Sequence, residues 1–408
     1  MPCLRHVFVT GEEVPPGTLS VKEMVASPIE TKYPQDLLTR TRFGSLEFSR
    51  VQLTTGSTGF PKFVEAPICG RMRCARVYAE ACRLSVDDVC GVFTPGPGGP
   101  GFIGVHSAPL VGARIVMLEK FEAGDALRLI EKEKISMVGV VPTMLAKMID
   151  HPDFDRYDLG SLRFVLVTGA PLPAKLAERA DAKLGFLIQT YGAMDFGGIT
   201  APFIDSTREV RLFTANKPIP GNQLKIQDEQ GSEVRPGEIG EILVKGPTST
   251  SGFFKDLKAT RETWTMDGWF CTGDLGRIDD QGNLIILGRK KEVIIRGGQN
   301  IYPAEVESVL QGHPKVASVA VVPIPDDIMG EKACACVVPE KGHSFSFGEM
   351  VSFLENKNIA KYKFPERLEI MLQFPLVAGL PKIDKKELTR QIRKKITSGR
   401  EKHHMAAK

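Results

Sequence analysis

"LRFVLVTGAPLPAKLAERADAKLGFLIQTYGAMD", residues 162–195, holds two apolar runs separated by one helical segment. The runs "LRFVLV" and "GFLIQTY" are short and nearly continuous in apolar character, as strands buried on both faces are. Strand, helix, strand at this spacing is the repeating unit of a parallel sheet. Working back to Gly112, the pattern recurs: "ARIVML" and "ISMVGVV" alternate with the helical segments "AGDALRLIEKEK" and "PTMLAKMI". The expected fold class here is α/β, a mostly parallel sheet with helices on its faces. Ligands collect at the carboxyl ends of such strands, which makes "VTGAP" (167–171) and "TYGAMD" (190–195) candidate binding turns.

The character changes on the far side of residue 205. "LKIQDEQGSEVRPGEIGEILVKGP" and "FCTGDLGRIDDQGNLIILGRKKEVII" alternate apolar and polar residues around Gly, Asn and Asp turns. That is the signature of antiparallel β structure, with Asp-Gln-Gly-Asn as a hairpin turn. From Arg289 a third style begins, in which helices "PAEVESVLQGH" and "SFGEMVSFLEN" frame strands "VASVAVVPI", "KACACVVPE" and "RLEIML". The last helix is expected to start at an Asp384 cap, with Leu388, Ile392 and Ile396 on one stripe. The expected organisation is a large domain over 1–288 with a β-rich subdomain, a small α+β domain over 289–402, and a tail over 403–408. No internal repeat is visible.

Composition narrows the function classes. The chain has 408 residues, 42% hydrophobic and 25% charged, with formal net charge +4, which is ordinary for a globular protein of two or three domains. Eight cysteines occur without a CxxC pair, so a zinc site is not expected. A reduced, cytoplasmic compartment is the simplest expectation. No stretch reaches the roughly 18 apolar residues of a membrane span. The basic residues concentrate from Pro381 onward, but without interleaved aromatics, which disfavours nucleic acid.

"QLTTGSTGFPKF", residues 52–63, packs hydroxyls, glycines and one lysine together. Gly56 and Gly59 permit close backbone approach, and successive N–H groups there can cradle an anion. Thr54, Thr55, Ser57 and Thr58 add hydroxyls, and Lys62 adds a positive charge. The spacing GxxxxGK[ST] is absent, so this is not the loop of a P-loop NTPase. The plain alternative is a polar surface loop.

The loop resembles the phosphate-binding loop of the adenylate-forming (AMP-binding) superfamily, which includes acyl-CoA synthetases and aryl-acid ligases. "VTGAPLP", "TYGAMD", "GWFCTGDLGRID", "GRKKEVIIRGGQNIYPAEVE" and "KYKFPERLEIM" resemble further motifs of that family, in its order and approximate spacing. The resemblance implies an ATP-dependent ligase that joins a carboxylic acid to coenzyme A through an acyl-adenylate. It further implies that Thr54, Thr55, Gly56, Ser57, Thr58, Gly59 and Lys62 contact the ATP phosphates. Gly169, Ala170, Pro171, Tyr191 and Gly192 would line the adenine pocket, with Tyr191 on the ring. Asp274, helped by Arg289, would hold the ribose hydroxyls, and Asp195 would bind Mg²⁺. Lys382 would be the adenylation lysine, Lys291 the hinge, and Gly297 and Gly298 would pass the pantetheine. For the two glycines an ordinary turn is the alternative.

Several residues depart from the family pattern. Met194 replaces a threonine that touches the α-phosphate, and Pro381 replaces the glycine before the lysine. The phosphate loop also begins only 53 residues in, so an N-terminally truncated chain is expected. Fatty, aryl and alicyclic acids all remain open as substrates, with an acyl-carrier protein as the alternative acceptor. Gly197 and Gly198 are expected to leave room for a bulky acid, and His106 to be structural. The remaining alternative is a remnant that only binds nucleotide.

Overall fold

The computed structural model of the chain describes residues 8–9, 14–16, 19–26, 36, 44, 48–54, 62–94, 99–357, 359–376 and 383–406. The chain forms two compact units, Met1–Glu47 and Phe48–Lys408. In the first, the strand Phe8–Val9 pairs in parallel with Leu19–Ser20, and the helix Val21–Ala26 follows.

In the second unit, the expected parallel sheet is present. Its order is Arg114–Met117, Val89–Val92, Met137–Val140, Phe164–Val167, Leu187–Gln189, all parallel. Both faces are buried, as the apolar runs require. Val138, Val140, Val165 and Val167 pack with the helices Ala123–Glu133, Pro142–Ile149 and Ala174–Leu184. Met137, Phe164 and Leu166 point the other way, against Cys74, Tyr78, Ala79 and Cys82 on and just after the helix Ile68–Ala81. The strand Val89–Val92 and the helix Ile68–Ala81 were not expected from the sequence.

The β-rich part is a four-stranded antiparallel sheet, Gln223–Gln227, Gly240–Lys245, Phe270–Ile278 and Leu284–Arg289. Its last hairpin closes where expected. The Asp279 carboxylate accepts the Gln281 and Asn283 N–H groups at 2.9 and 2.8 Å. A separate hairpin, Phe48–Leu53 with Phe63–Pro67, carries the phosphate-loop sequence at its tip.

Beyond Arg289 the chain enters another sheet, ordered Gln299–Ile301, Ile294–Arg296, Gly330–Pro339 and Val316–Asp326, with Arg367–Ile370 parallel to Gly330–Pro339. Ala333, Ala335 and Val337 face the helices Pro303–Leu310 and Phe347–Glu355. Cys334 and Cys336 face the opposite way, onto Leu388 and Ile392 of the final helix Lys385–Ala406. That helix is capped as expected: Asp384 Oδ1 accepts the Glu387 N–H at 3.0 Å. No helix of the described residues is long and apolar enough to cross a membrane.

Asp88 fastens the lower end of the parallel sheet. Its buried carboxylate takes both hydrogen bonds of Arg163 Nη1, at 2.6 and 2.7 Å, and also those of Ser136 Oγ at 2.7 Å and Ser85 N–H at 2.9 Å. Burial alone would raise this carboxyl; the hydrogen bonds from Arg163, Ser136 and Ser85 outweigh it and hold it below the usual carboxylate range. Its contribution is therefore complete above that range and is lost as pH falls through the lowered value. Asp88→Asn is expected to cost about 2 kcal/mol in urea unfolding at neutral pH, since one charge of a half-screened pair disappears. The variant should also lose part of the acid sensitivity of the parent, read from unfolding midpoints across pH 2–6. Equal midpoints for the two proteins at neutral pH would contradict this.

Candidate active site

Four of the sequence-derived residues converge at the carboxyl edge of the parallel sheet. Tyr191 leaves the strand Leu187–Gln189 and is buried against Phe196, ring centroids 5.3 Å apart. Its hydroxyl donates to Asp274 Oδ2 at 2.7 Å. Asp274 sits in the strand Phe270–Ile278 directly opposite Arg289 of the neighbouring strand, and Arg289 Nε lies 2.9 Å from Asp274 Oδ1. Register alone thus places the guanidinium on the carboxylate. Burial, then the neighbouring Asp274, pushes the Tyr191 phenol well up, so it stays a hydrogen-bond donor.

Asp195 is the fourth. Burial raises its carboxyl, opposed by the positive charges of Arg289 and then Lys62. A half-buried carboxylate supplies the hard oxygen donor that a dication takes, and the positive charges of Arg289 and Lys62 nearby would be balanced by substrate phosphates. Mg²⁺ normally takes only one or two carboxylates together with substrate phosphates. Among the described residues no cluster of three or more His, Cys, Asp or Glu makes an all-protein cage. The residues present therefore fit a metal shared with a nucleotide.

The phosphate loop is described at its root. Thr54 is buried, its N–H donates to Lys62 O at 2.9 Å, and its Oγ1 accepts the Lys62 N–H at 3.0 Å. These two bonds hold Thr54 and Lys62, the residues that flank 55–61 in the sequence, side by side. Lys62 Nζ lies 4.4 Å from the centroid of Phe253. Thr55, Gly56, Ser57, Thr58 and Gly59 lie outside the described residues, as do Pro381 and Lys382.

Gly169, Ala170 and Pro171 form an exposed turn right after the strand Phe164–Val167. Thr168 Oγ1 donates to Thr190 O at 3.0 Å, which ties that turn to the "TYGAMD" segment. Gly192 pairs with Gly198 in a short antiparallel ladder. Lys291 lies in the single turn Lys290–Glu292 between the two sheets. Gly297 and Gly298, φ +54° and +82°, form a two-residue hairpin tip between Ile294–Arg296 and Gln299–Ile301. Positive φ at both positions is what such a turn demands, and a turn here is compatible with the role the resemblance implies.

One expectation is corrected. Gly197 and Gly198 do not leave open space. A Cβ on Gly197 would meet Thr248 O at 2.4 Å, and one on Gly198 would meet Cys74 Sγ at 2.7 Å. The missing side chains admit neighbouring backbone and a helix rather than substrate.

Sequence reasoning also missed a polar relay behind the site. Gln52, buried one residue pair below the loop, donates to the Met194 carbonyl and accepts from Arg71 Nη2 at 3.1 Å. Arg71 Nη1 is 3.1 Å from His106 Nε2, and the His106 ring stacks at 4.8 Å on Phe102. His106 thus braces the arginine, in line with its structural assignment. Only contacts across distant sequence reveal this chain of bonds.

Comparison with known proteins places this geometry. Residues 43–254 match the model for AMP-binding enzymes, and residues 305–379 match the model for the AMP-binding enzyme C-terminal domain. The chain is 30% identical to the 2,3-dihydroxybenzoate–AMP ligase of Bacillus subtilis, over 98% of this chain and 72% of that protein. It is 32% identical to the medium-chain fatty-acid–CoA ligase of Escherichia coli, over 86% and 62%. ATP-bound MatB from Rhodopseudomonas palustris superposes with a TM-score of 0.80 at 27% identity, covering 86% of this chain and 70% of that one. The o-succinylbenzoate CoA synthetase of Bacillus subtilis, solved with its acyl-adenylate, gives 0.75 at 30%, covering 85% and 69%. The chain thus spans roughly two thirds of the length of these relatives. The fold class and the resemblance read from the motifs are both borne out. With both family models matched in order along it, the chain belongs to the AMP-binding enzymes, the adenylate-forming superfamily of acid–thiol ligases.

Proposed function

We propose that the chain is an ATP-dependent carboxylic acid–CoA ligase that works through an acyl-adenylate. The observation that carries this reading is the Asp274 carboxylate, held between Tyr191 and Arg289, with Asp195 under the influence of both Arg289 and Lys62. A fixed carboxylate suits the two hydroxyls of a ribose, each of which can donate to one oxygen.

In this reading a substrate carboxylate attacks the α-phosphorus of ATP and pyrophosphate leaves. The thiol of coenzyme A then attacks the acyl carbon and AMP leaves. Charge grows on phosphoryl oxygens in the first transition state, so preorganised donors matter most there. Thr54 and Lys62 hold the loop whose hydroxyls and N–H groups meet the β- and γ-phosphates. Gly169, Ala170 and Pro171 flank the adenine, and Asp274 and Arg289 orient the ribose. Asp195 would hold Mg²⁺, which when bound would neutralise phosphate charge. Lys382 approaches from the small domain during adenylation. Hinge motion at Lys291, between domains 1–288 and 289–402, then brings the Gly297–Gly298 turn toward the pantetheine.

The substrate is a fatty, aryl or alicyclic acid, and the setting is cytoplasmic. Free coenzyme A is the acceptor; a carrier-protein thiol is the competing one. ATP–pyrophosphate exchange across octanoate, benzoate, salicylate, 2,3-dihydroxybenzoate and cyclohexanecarboxylate tests competence and acid class together. Exchange above background with at least one acid, abolished by EDTA, is expected. No exchange with any of them, in a protein that still binds ATP, would favour a remnant that only binds nucleotide.

Asp274→Ala is expected to lower kcat/KM for ATP by about 10- to 100-fold, the value of one or two charge-assisted hydrogen bonds. The effect should fall on the ATP dependence and spare the KM for the acid. An unchanged ATP dependence in a folded variant would remove Asp274 from the nucleotide site.

A further inference from the structure

Side-chain pairing along residues 289–292 changes partner at one point. Arg289 is paired with Asp274, and Lys290 Nζ lies 2.7 Å from Glu241 Oε2 on the strand Gly240–Lys245. Both belong to the four-stranded sheet. Glu292 faces the other way: its Oε2 is 3.0 Å from Lys385 Nζ, at the start of the final helix. Between these allegiances stands Lys291. A pivot is possible only where neighbouring residues are fastened to different bodies, and the pairing locates that point.

Lys385 also reaches a second carboxylate, Glu307 Oε1 at 2.8 Å. Glu307 lies on the helix Pro303–Leu310, and its Oε1 also accepts the Val321 N–H at 2.6 Å. Lys385 therefore bridges the outgoing end of the hinge, a helix and, through Glu307, the long strand Val316–Asp326. Only 23% of its side chain is exposed, against 37% for Glu292 and 18% for Glu307. Burial favours the neutral amine, but the Glu307 and Glu292 charges more than offset it and keep the ammonium in place.

The position of this lysine gives the cluster its consequence. Leu376 and Ile383, which flank residues 377–382 in the sequence, are joined by a bridge, and the Asp384 N–H donates to Pro375 O at 2.8 Å, so the two flanks form one root. Lys385 follows that root immediately. We propose that Lys385 is a positioning residue which, through Glu292 and Glu307, fixes this root, and with it the point of attachment of Lys382, to the outgoing side of the hinge. The inference rests on the reading of Lys382 as the adenylation lysine. Lys382 directly precedes Ile383 of this root in the sequence, and a misplacement of about 1 Å at a reacting group can cost on the order of 100-fold in rate. The clamp lies wholly on the small-domain side of Lys291, so it travels with that domain and leaves the thioester step alone.

The test uses the full chain and the variants Lys385→Met, Lys385→Arg, Lys382→Ala and Lys382→Ala/Lys385→Met. Adenylation is followed by pyrophosphate exchange with octanoate, benzoate and 2,3-dihydroxybenzoate. Thioester formation is followed separately from preformed benzoyl- and octanoyl-adenylate. Lys385→Met should lower the adenylation kcat about tenfold or more with little change in KM for ATP. Thioester formation should be nearly unaffected, Lys385→Arg should recover most of the adenylation loss, and the double variant should be no slower than Lys382→Ala alone. Multiplying effects in the double variant, or equal losses in both half-reactions, would overturn the proposal.

Hydrogen exchange gives a readout independent of turnover. Protection at 383–388 and at 292–296 should fall together in Lys385→Met and return in Lys385→Arg; unchanged protection at 292–296 overturns the clamp. Adenylation that survives Lys382→Ala would instead overturn the underlying reading of Lys382, and exchange protection would then decide the clamp alone.

Discussion

The Asp274 carboxylate is the point on which the rest of this structure depends. Three segments meet there: Tyr191 arrives from the parallel sheet, Asp274 from the antiparallel sheet, and Arg289 from the strand that leads into the last domain. Withdrawing a carboxylate and a guanidinium from water costs about as much as their attraction returns, so an apolar trio would fasten the segments as well. The polar solution gives something an apolar one cannot: a fixed hydrogen-bond acceptor of known orientation. This is why the site, rather than the core, explains the charge.

A common construction recurs at two places in the chain, in the residues that flank 55–61 and in those that flank 377–382. Each is closed at its root by short backbone bonds, Thr54 with Lys62 in one case and Leu376 with Ile383 in the other. Each root is then braced by side chains from distant sequence. Gln52 bonds to Met194 O and Arg71 behind the first, and Lys385 to Glu292 and Glu307 behind the second. Met194, read from the sequence only as a lost hydroxyl, takes part in this bracing through its carbonyl.

Most of the fold was legible because its strands are buried on both faces and its helices are strongly patterned. The strand Val89–Val92 and the helix Ile68–Ala81 escaped for a physical reason. Apart from Tyr78 and Val92 their buried residues are small (Gly70, Cys74, Ala75, Ala79, Cys90, Gly91), and arginines at 71, 73 and 76 interrupt the pattern. Site residues were legible one at a time, because each residue type matches its chemistry. Their mutual contacts were not: Tyr191 with Asp274 and Lys385 with Glu292 join residues 83 and 93 positions apart. Gly197 and Gly198 show the limit from the other side. A glycine is compatible with open space and with close approach alike, and only the neighbours at Thr248 and Cys74 decide between them.

A crystal structure with a non-hydrolysable ATP analogue tests the central claim most directly. The account requires the ribose hydroxyls on the Asp274 carboxylate, the adenine between Tyr191 and the 169–171 turn, and the triphosphate over the root formed by Thr54 and Lys62. Nucleotide bound elsewhere, with the Tyr191–Asp274–Arg289 contacts untouched by ligand, would contradict it.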